Sequence, residues 1–166
     1  MRYRYFAGLI LLVFSNLFAL QTADAGQVIF LVRHAEQELD VEDPALTEAG
    51  HKRAQALAGT LKDAGVQIVY TSETRRTRQT AEPIVQALNI THEIMPRRDI
   101  EGLIHRIRTR HPNDEVLIVS HTRTIPLLLR ELGYSENVSL ARDEYDNLFV
   151  IVPKGKDESV VLRLRF

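Results

Sequence analysis

The sequence predicts a single three-layer α/β/α domain built on a mostly parallel sheet. Two short segments, Val28–Val32 and Val116–Ser120, are almost wholly apolar and rich in β-branched residues, as strands buried on both faces are. Strand-like and helix-like segments alternate between and beyond them, the pattern of a parallel sheet covered on both sides. The 166 residues are 45% hydrophobic and 26% charged, which suits one soluble domain with a real core.

The elements follow in order. Val28–Val32 is the first strand, and the polar stretch through Asp43-Pro44 breaks any pattern. Thr47 and Glu48 open a helix in which Ala54, Leu57, Ala58 and Leu61 recur at helical spacing, with Gly65 as its stop. Gln67–Thr71 is a strand, Thr74–Leu88 a helix and Thr91–Met95 a weak strand. Glu101–Arg110 is a helix with Leu103, Ile104 and Ile107 on one face. Val116–Ser120 is the second strong strand, and Thr122–Leu132 a helix stopped by Gly133. Leu148–Val152 and Val160–Leu164 close the sheet around a turn at Lys154-Gly155-Lys156.

The first 25 residues read differently. Arg2 and Arg4 precede an uncharged apolar stretch from Phe6 to Leu20, and Ala23-Asp24-Ala25 has the small residues that a signal peptidase reads. The stretch is shorter than the ~20 residues of a membrane span, and Ser15-Asn16 interrupt it. The expectation is a signal peptide over residues 1–25, cleavage after Ala25, and an exported (periplasmic or secreted) domain over 26–166 without stable membrane insertion. No cysteine is present, so thiolate chemistry and a disulfide framework are excluded, and an oxidising compartment poses no difficulty. A formal charge of −1 gives no global reason to expect a nucleic-acid partner. Any anion must be met by a local cluster of cations.

Ligands of such sheets bind beyond the carboxyl ends of the strands. There the sequence places Arg33-His34 after the first strand, Ser72 to Arg76 after the second and His121 after the fourth. Arginine donates two parallel hydrogen bonds to an oxyanion and stays charged. A neutral imidazole is a nucleophile near neutral pH and forms covalent intermediates. A second histidine can stabilise charge spreading over phosphoryl oxygens. The ligand expected is a small phosphorylated molecule. No His/Asp/Glu spacing suggests a metal site, and no glycine-rich loop follows the first strand, so neither metal nor nucleotide cofactor is expected.

Leu31-Val32-Arg33-His34-Ala35-Glu36, Leu46-Thr47-Glu48-Ala49-Gly50, Ser72 to Ala81 and Val119-Ser120-His121-Thr122 together resemble, in order and spacing, the motifs of the histidine phosphatase (phosphoglycerate mutase-like) superfamily. The resemblance implies a phosphatase acting through a phosphohistidine on His34, with Arg33 and Arg76 as phosphate ligands and His121 as the second histidine. Arg76 stands four residues after Ser72, where the family has its second arginine, and is preferred to Arg75 and Arg78. The amide of Thr122, at the expected helix start, is a further donor. The chain lacks a large insertion and so resembles the compact phosphatases of the superfamily more than its mutases. Three carboxylates compete for the role of leaving-group acid: Glu36, Asp99 and Glu101. None sits in a recognisable acid motif. A phosphomutase, and an extracytoplasmic phosphate- or phosphosugar-binding protein without catalysis, are the alternatives. In the latter, Arg97, Arg98, Arg106, Arg108 and Arg110 would extend the binding surface. His51, His92, His105 and His111 are read as surface residues.

Overall fold

The computed structural model describes residues 26–166; the expected signal peptide lies outside the described residues. Ten elements follow one another among the described residues. They are β1 (Ile29–Arg33), α1 (Glu48–Leu61), β2 (Val66–Ser72), α2 (Arg75–Leu88), β3 (Thr91–Met95), α3 (Ile100–Arg110), β4 (Glu115–Ser120), α4 (Ile125–Glu131), β5 (Asn147–Pro153) and β6 (Ser159–Arg165). The six strands form one sheet in the order β3-β2-β4-β1-β5-β6. β3, β2, β4 and β1 run parallel, and β5 and β6 add an antiparallel edge. The fold class is the one that the strand–helix alternation predicts.

Alternation within the strands sorts the two cores, because successive side chains of a strand point to opposite faces. Ile29 and Leu31 of β1 pack with Leu103, Ile104 and Ile107 of α3 and with Ile125, Leu128 and Leu129 of α4. Phe30 and Val32 pack on the other face with Leu57, Ala58 and Leu61 of α1 and with Ala81 and Ile84 of α2. Two helices therefore cover each face, and β1 and β4 are buried along almost their whole length.

One boundary differs from expectation in a way that matters. The fourth helix starts at Ile125, not Thr122, and residues 122–124 form a turn. The amides of Thr124 and Ile125 both donate to the carbonyl of His121, at 2.9 and 3.0 Å. Pro126 has no amide proton to donate and occupies the first helical turn, where none is needed.

Candidate active site

Pairing of β1 with β4 builds the centre of the site. Arg33 is in register with Ser120, and the amide of His34 extends the ladder by donating to the Ser120 carbonyl at 2.9 Å. His34 and His121 thus leave two adjacent parallel strands at the same level. Their rings meet edge to face with centroids 5.3 Å apart. β2, on the other side of β4, ends at Ser72 and leads into α2, which carries Arg76. Its Nη2 comes within 3.5 Å of His121 Nδ1.

Both histidines are buried, and their tautomers can be read from their partners. His34 Nδ1 donates to the carbonyl of Ala35 at 2.8 Å, which leaves Nε2 as the nitrogen with a free lone pair. His121 Nε2 lies 2.8 Å from Ser72 Oγ, while its Nδ1 faces the Arg76 guanidinium, which can only donate. The neutral ring therefore carries its proton on Nε2 and gives it to Ser72. Burial pushes His34 down to about 3, with the charges of His121, Arg33 and Arg76 adding to the effect. Burial likewise pushes His121 down to about 3, helped by Arg76, Arg97 and Arg33. Both rings are neutral near pH 7.

The two arginines differ. Arg76 lines a cavity of about 600 Å³ together with His34, His121 and Thr122. Asp43 lies 3.8 Å from its Nη1. Arg33 is absent from that wall. Its Nη1 donates to the carbonyls of Ala141, Arg142 and Glu144 at 3.3, 2.8 and 3.2 Å, and its guanidinium lies 3.9 Å over the Tyr145 ring. It borders a neighbouring groove with Gln37 and Tyr145. Arg33, expected as a phosphate ligand, thus turns its Nη1 to the loop rather than to this wall. Part of the guanidinium is thus spent on holding this loop through its carbonyls. Yet the Nε atoms of both Arg33 and Arg76 are buried without any hydrogen-bond partner, two unspent donors on the two arginines nearest the histidines. A buried unsatisfied donor is costly unless a ligand takes it up. Thr122 reaches the cavity wall from a turn, not from a helix start.

None of the three candidate acids reaches this cavity. The carboxylate of Glu36 is held by Arg53, with Oε1 2.7 Å from Nη2 and 2.8 Å from Nε. Burial raises the Glu36 carboxyl, but hydrogen bonding and charge from Arg53 outweigh that and hold it below its ordinary range. Asp99 caps α3 through the amide of Gly102, and Glu101 is exposed in the first turn of that helix. Among the described residues no aspartate or glutamate lines the cavity.

Sequence reasoning missed several parts. Ser72 orients His121 and is itself tied to the hydroxyls of Thr74 and Thr77, at 3.1 and 3.0 Å. Tyr145, which immobilises Arg33 and lies 6.2 Å from the His34 ring, follows a loop without a motif. Arg123, which sequence reasoning also missed, lines the cavity together with Arg97 and Arg98, two of the arginines expected to extend a binding surface. Arg106 instead pairs with Glu93, and Arg108 donates to the carbonyls of Glu131 and Lys156. Two histidines read as surface residues are not. His92 bonds Thr71 Oγ1 at 2.8 Å, and His111 pairs with Asp114 at 2.7 Å beside the buried Tyr70 ring. Arg75 and Arg78 line a groove on the outer side of α2 with His92, away from His34 and His121.

Known proteins resemble this chain in sequence and in fold. The family described as histidine phosphatase superfamily (branch 1) matches residues 29–99, a span that includes Arg33, His34 and Arg76 and ends before β4. Phosphoserine phosphatase 1 of Hydrogenobacter thermophilus is 26% identical over 148 residues, covering 57% of this chain and 70% of that protein. A probable phosphoglycerate mutase GpmB of Proteus mirabilis is 41% identical over 66 residues, covering 36% of this chain and only 31% of the mutase. The solved structure of the protein histidine phosphatase SixA complexed with tungstate superimposes with a TM-score of 0.69 at 22% identity, covering 83% of this chain and 96% of that one. Residues 29–99 thus match the histidine phosphatase superfamily (branch 1), and most of the described chain shares the fold of that solved phosphatase.

Proposed function

We propose that the protein is a phosphatase whose reaction passes through a phosphohistidine on His34. One observation carries the reading: a buried, neutral His34 with its Nδ1 proton committed to Ala35, on the wall of a cavity shared with Arg76 and His121. The lone pair of Nε2 attacks phosphorus, the ester or amide bond to the leaving group breaks, and that group departs with the bonding pair and takes a proton from solvent. Water then attacks the phosphohistidine, releasing inorganic phosphate and restoring His34. Arg76, His121 and the free Nε of Arg33 meet the equatorial oxygens as charge develops on them. A dianion between them draws a proton onto His121 Nδ1, since opposite charge raises a histidine pKa.

The phosphoryl group should be recovered on the peptide containing His34 after rapid acid-free quenching of a reaction with an activated aryl phosphate. It should be labile to acid and stable to base. His34→Ala should lose turnover and still bind phosphate. Full activity in that variant, or label on a serine or aspartate peptide alone, would overturn the mechanism.

The match to probable mutases favours phosphomutase as the second reading. The fate of the phosphoryl group separates the two: release as inorganic phosphate supports the phosphatase, and recovery on a second hydroxyl of the organic substrate supports the mutase. The reading includes export, supported by the basic start, the apolar Phe6–Leu20 segment and Ala23-Asp24-Ala25. The species outside the inner membrane should begin at Gly26, as N-terminal sequencing would show. An intact Met1 confined to the cytoplasmic fraction would refute export.

A further inference from the structure

One transferred phosphoryl group presents three non-bridging oxygens, and His121, Arg76, the Arg33 Nε and Thr122 suffice to meet them. The same cavity carries three more arginines, Arg97, Arg98 and Arg123. Arg97 and Arg98 stand on the turn between β3 and α3, and Arg123 on the turn between His121 and α4. Among the described residues none of their guanidiniums is in an ion pair. Two carboxylates beside the β3–α3 turn are spent on backbone amides. Glu73 accepts from the Arg97 amide at 2.8 Å, and Asp99 from the Gly102 amide at 3.0 Å. These bonds, with the Asp99 amide on the Pro96 carbonyl at 2.9 Å, hold the turn in place while leaving its two guanidiniums unneutralised. The charge of Arg97 reaches the reacting groups, because it is one of those that lower His121 and Arg76. Ile100 and Leu127 supply an apolar stretch of the same wall.

A solvated charged face would scatter such cations and intersperse carboxylates. Here three share one concave wall with the histidines and no acid, and a guanidinium fork is matched to a carboxylate or a phosphate. We infer that Arg97, Arg98 and Arg123 form a second anion subsite, so that the preferred substrates are phosphorylated molecules carrying a further phosphate or carboxylate across a short apolar spacer. The inference deepens the phosphatase reading and rests on it only for which end reacts.

Binding tests the subsite without turnover. Titration calorimetry on the mature protein would compare propylphosphonate with propane-1,3-bisphosphonate, which share a spacer and differ in the second anion. The bisphosphonate should bind at least tenfold more tightly, well above the twofold statistical advantage of its two ends. In the double variant Arg98→Gln/Arg123→Gln that ratio should fall to a few-fold. Equal affinities in the unaltered protein, or a ratio the double variant leaves in place, would overturn the subsite. Turnover of 4-nitrophenyl phosphate by the same preparation decides the phosphatase reading separately. A preserved affinity ratio without turnover supports the subsite and removes the phosphatase; turnover without the ratio does the reverse.

Discussion

Two buried neutral histidines side by side have a thermodynamic consequence. His34 and His121 sit at about 3 in the folded protein, chiefly through burial, against about 6.5 for an unfolded histidine. Because the folded value is the lower one, the stability linked to each group is fully present above about pH 6.5. It drains away as pH falls toward about 3, since the unfolded chain binds the protons that the folded chain refuses. Within that window each histidine contributes a slope of about 1.4 kcal/mol per pH unit. Glu36 is held below its ordinary value and adds a loss in the same direction, but its unfolded carboxyl titrates only near pH 4. Chemical denaturation at pH 7.0, 6.0 and 5.0 should therefore show a steep fall, and the variant His34→Asn/His121→Gln should flatten it. An unchanged slope in the variant would mean that the rings are already protonated in the folded state. Saturating phosphate should lessen the fall, because a bound dianion raises the histidine values and moves their titration back toward that of the unfolded chain.

The elements around the site are joined by contacts that single residue types permit. Gly50, in the first turn of α1, lies against the chain that follows the nucleophile: a Cβ there would collide with the Glu36 carbonyl oxygen and press on Leu46. Gly59, later in the same helix, faces open space. Gly50→Ala should cost about 1–3 kcal/mol as an overpacked contact and lower kcat/KM by shifting Ala35 and Glu36. Gly59→Ala should be neutral or stabilise by up to about 1 kcal/mol. Denaturant midpoints of the pair check this, and equal effects would show that the α1 contact has no special role. A second tie is Thr80, buried in α2, whose Oγ1 accepts from the Ala35 amide at 3.0 Å. What was legible in the sequence follows from the same physics. Strands buried on both faces announced themselves through Val28–Val32 and Val116–Ser120, and helix spacing exposed α1 and α3 to within a residue or two. The residues that bring His34, Arg76 and His121 together were legible because the end of a buried strand has few polar residues to choose from. The α4 boundary was not, because Thr122 suits a helix start as well as a turn. The partner of Arg33 was not either, since three backbone carbonyls around residues 141–144 leave no side-chain signature. Arg97 and Arg98 reach the cavity only because the β3–α3 turn folds over the end of β4, a tertiary fact that local sequence does not encode.

Across the molecule, charge is segregated. In a chain of net charge −1, the described residues that wall the cavity include no carboxylate, only arginines and two neutral histidines among the titratable groups. The parallel order β2-β4-β1 makes this arrangement, by delivering three strand ends to one edge. Such a wall stabilises the equatorial oxygens of a phosphoryl group but has nothing to offer the leaving atom. Glu36 is ionised against Arg53, Asp99 is a helix cap, and arginine does not give up its proton. His121 donates its only proton to Ser72 until a dianion binds, and thereafter its second proton faces the transferred group. Protonation of the leaving group falls to solvent, without the ~10²–10⁴-fold that a positioned acid contributes. The loose transition state of phosphoryl transfer then places most of the developing charge on the departing oxygen or nitrogen, so leaving-group stability should control the rate. kcat/KM measured from nitrophenyl through phenyl to alkyl phosphates should fall steeply with leaving-group pKa, whereas acyl phosphates and phosphoramidates should react fast without an acid. Glu36→Gln should leave that dependence unsteepened, because its carboxylate serves Arg53 and not the substrate. A shallow dependence, with burst kinetics showing that chemistry limits the rate, would mean that a proton donor does reach the leaving atom. A marked steepening in Glu36→Gln would identify that donor.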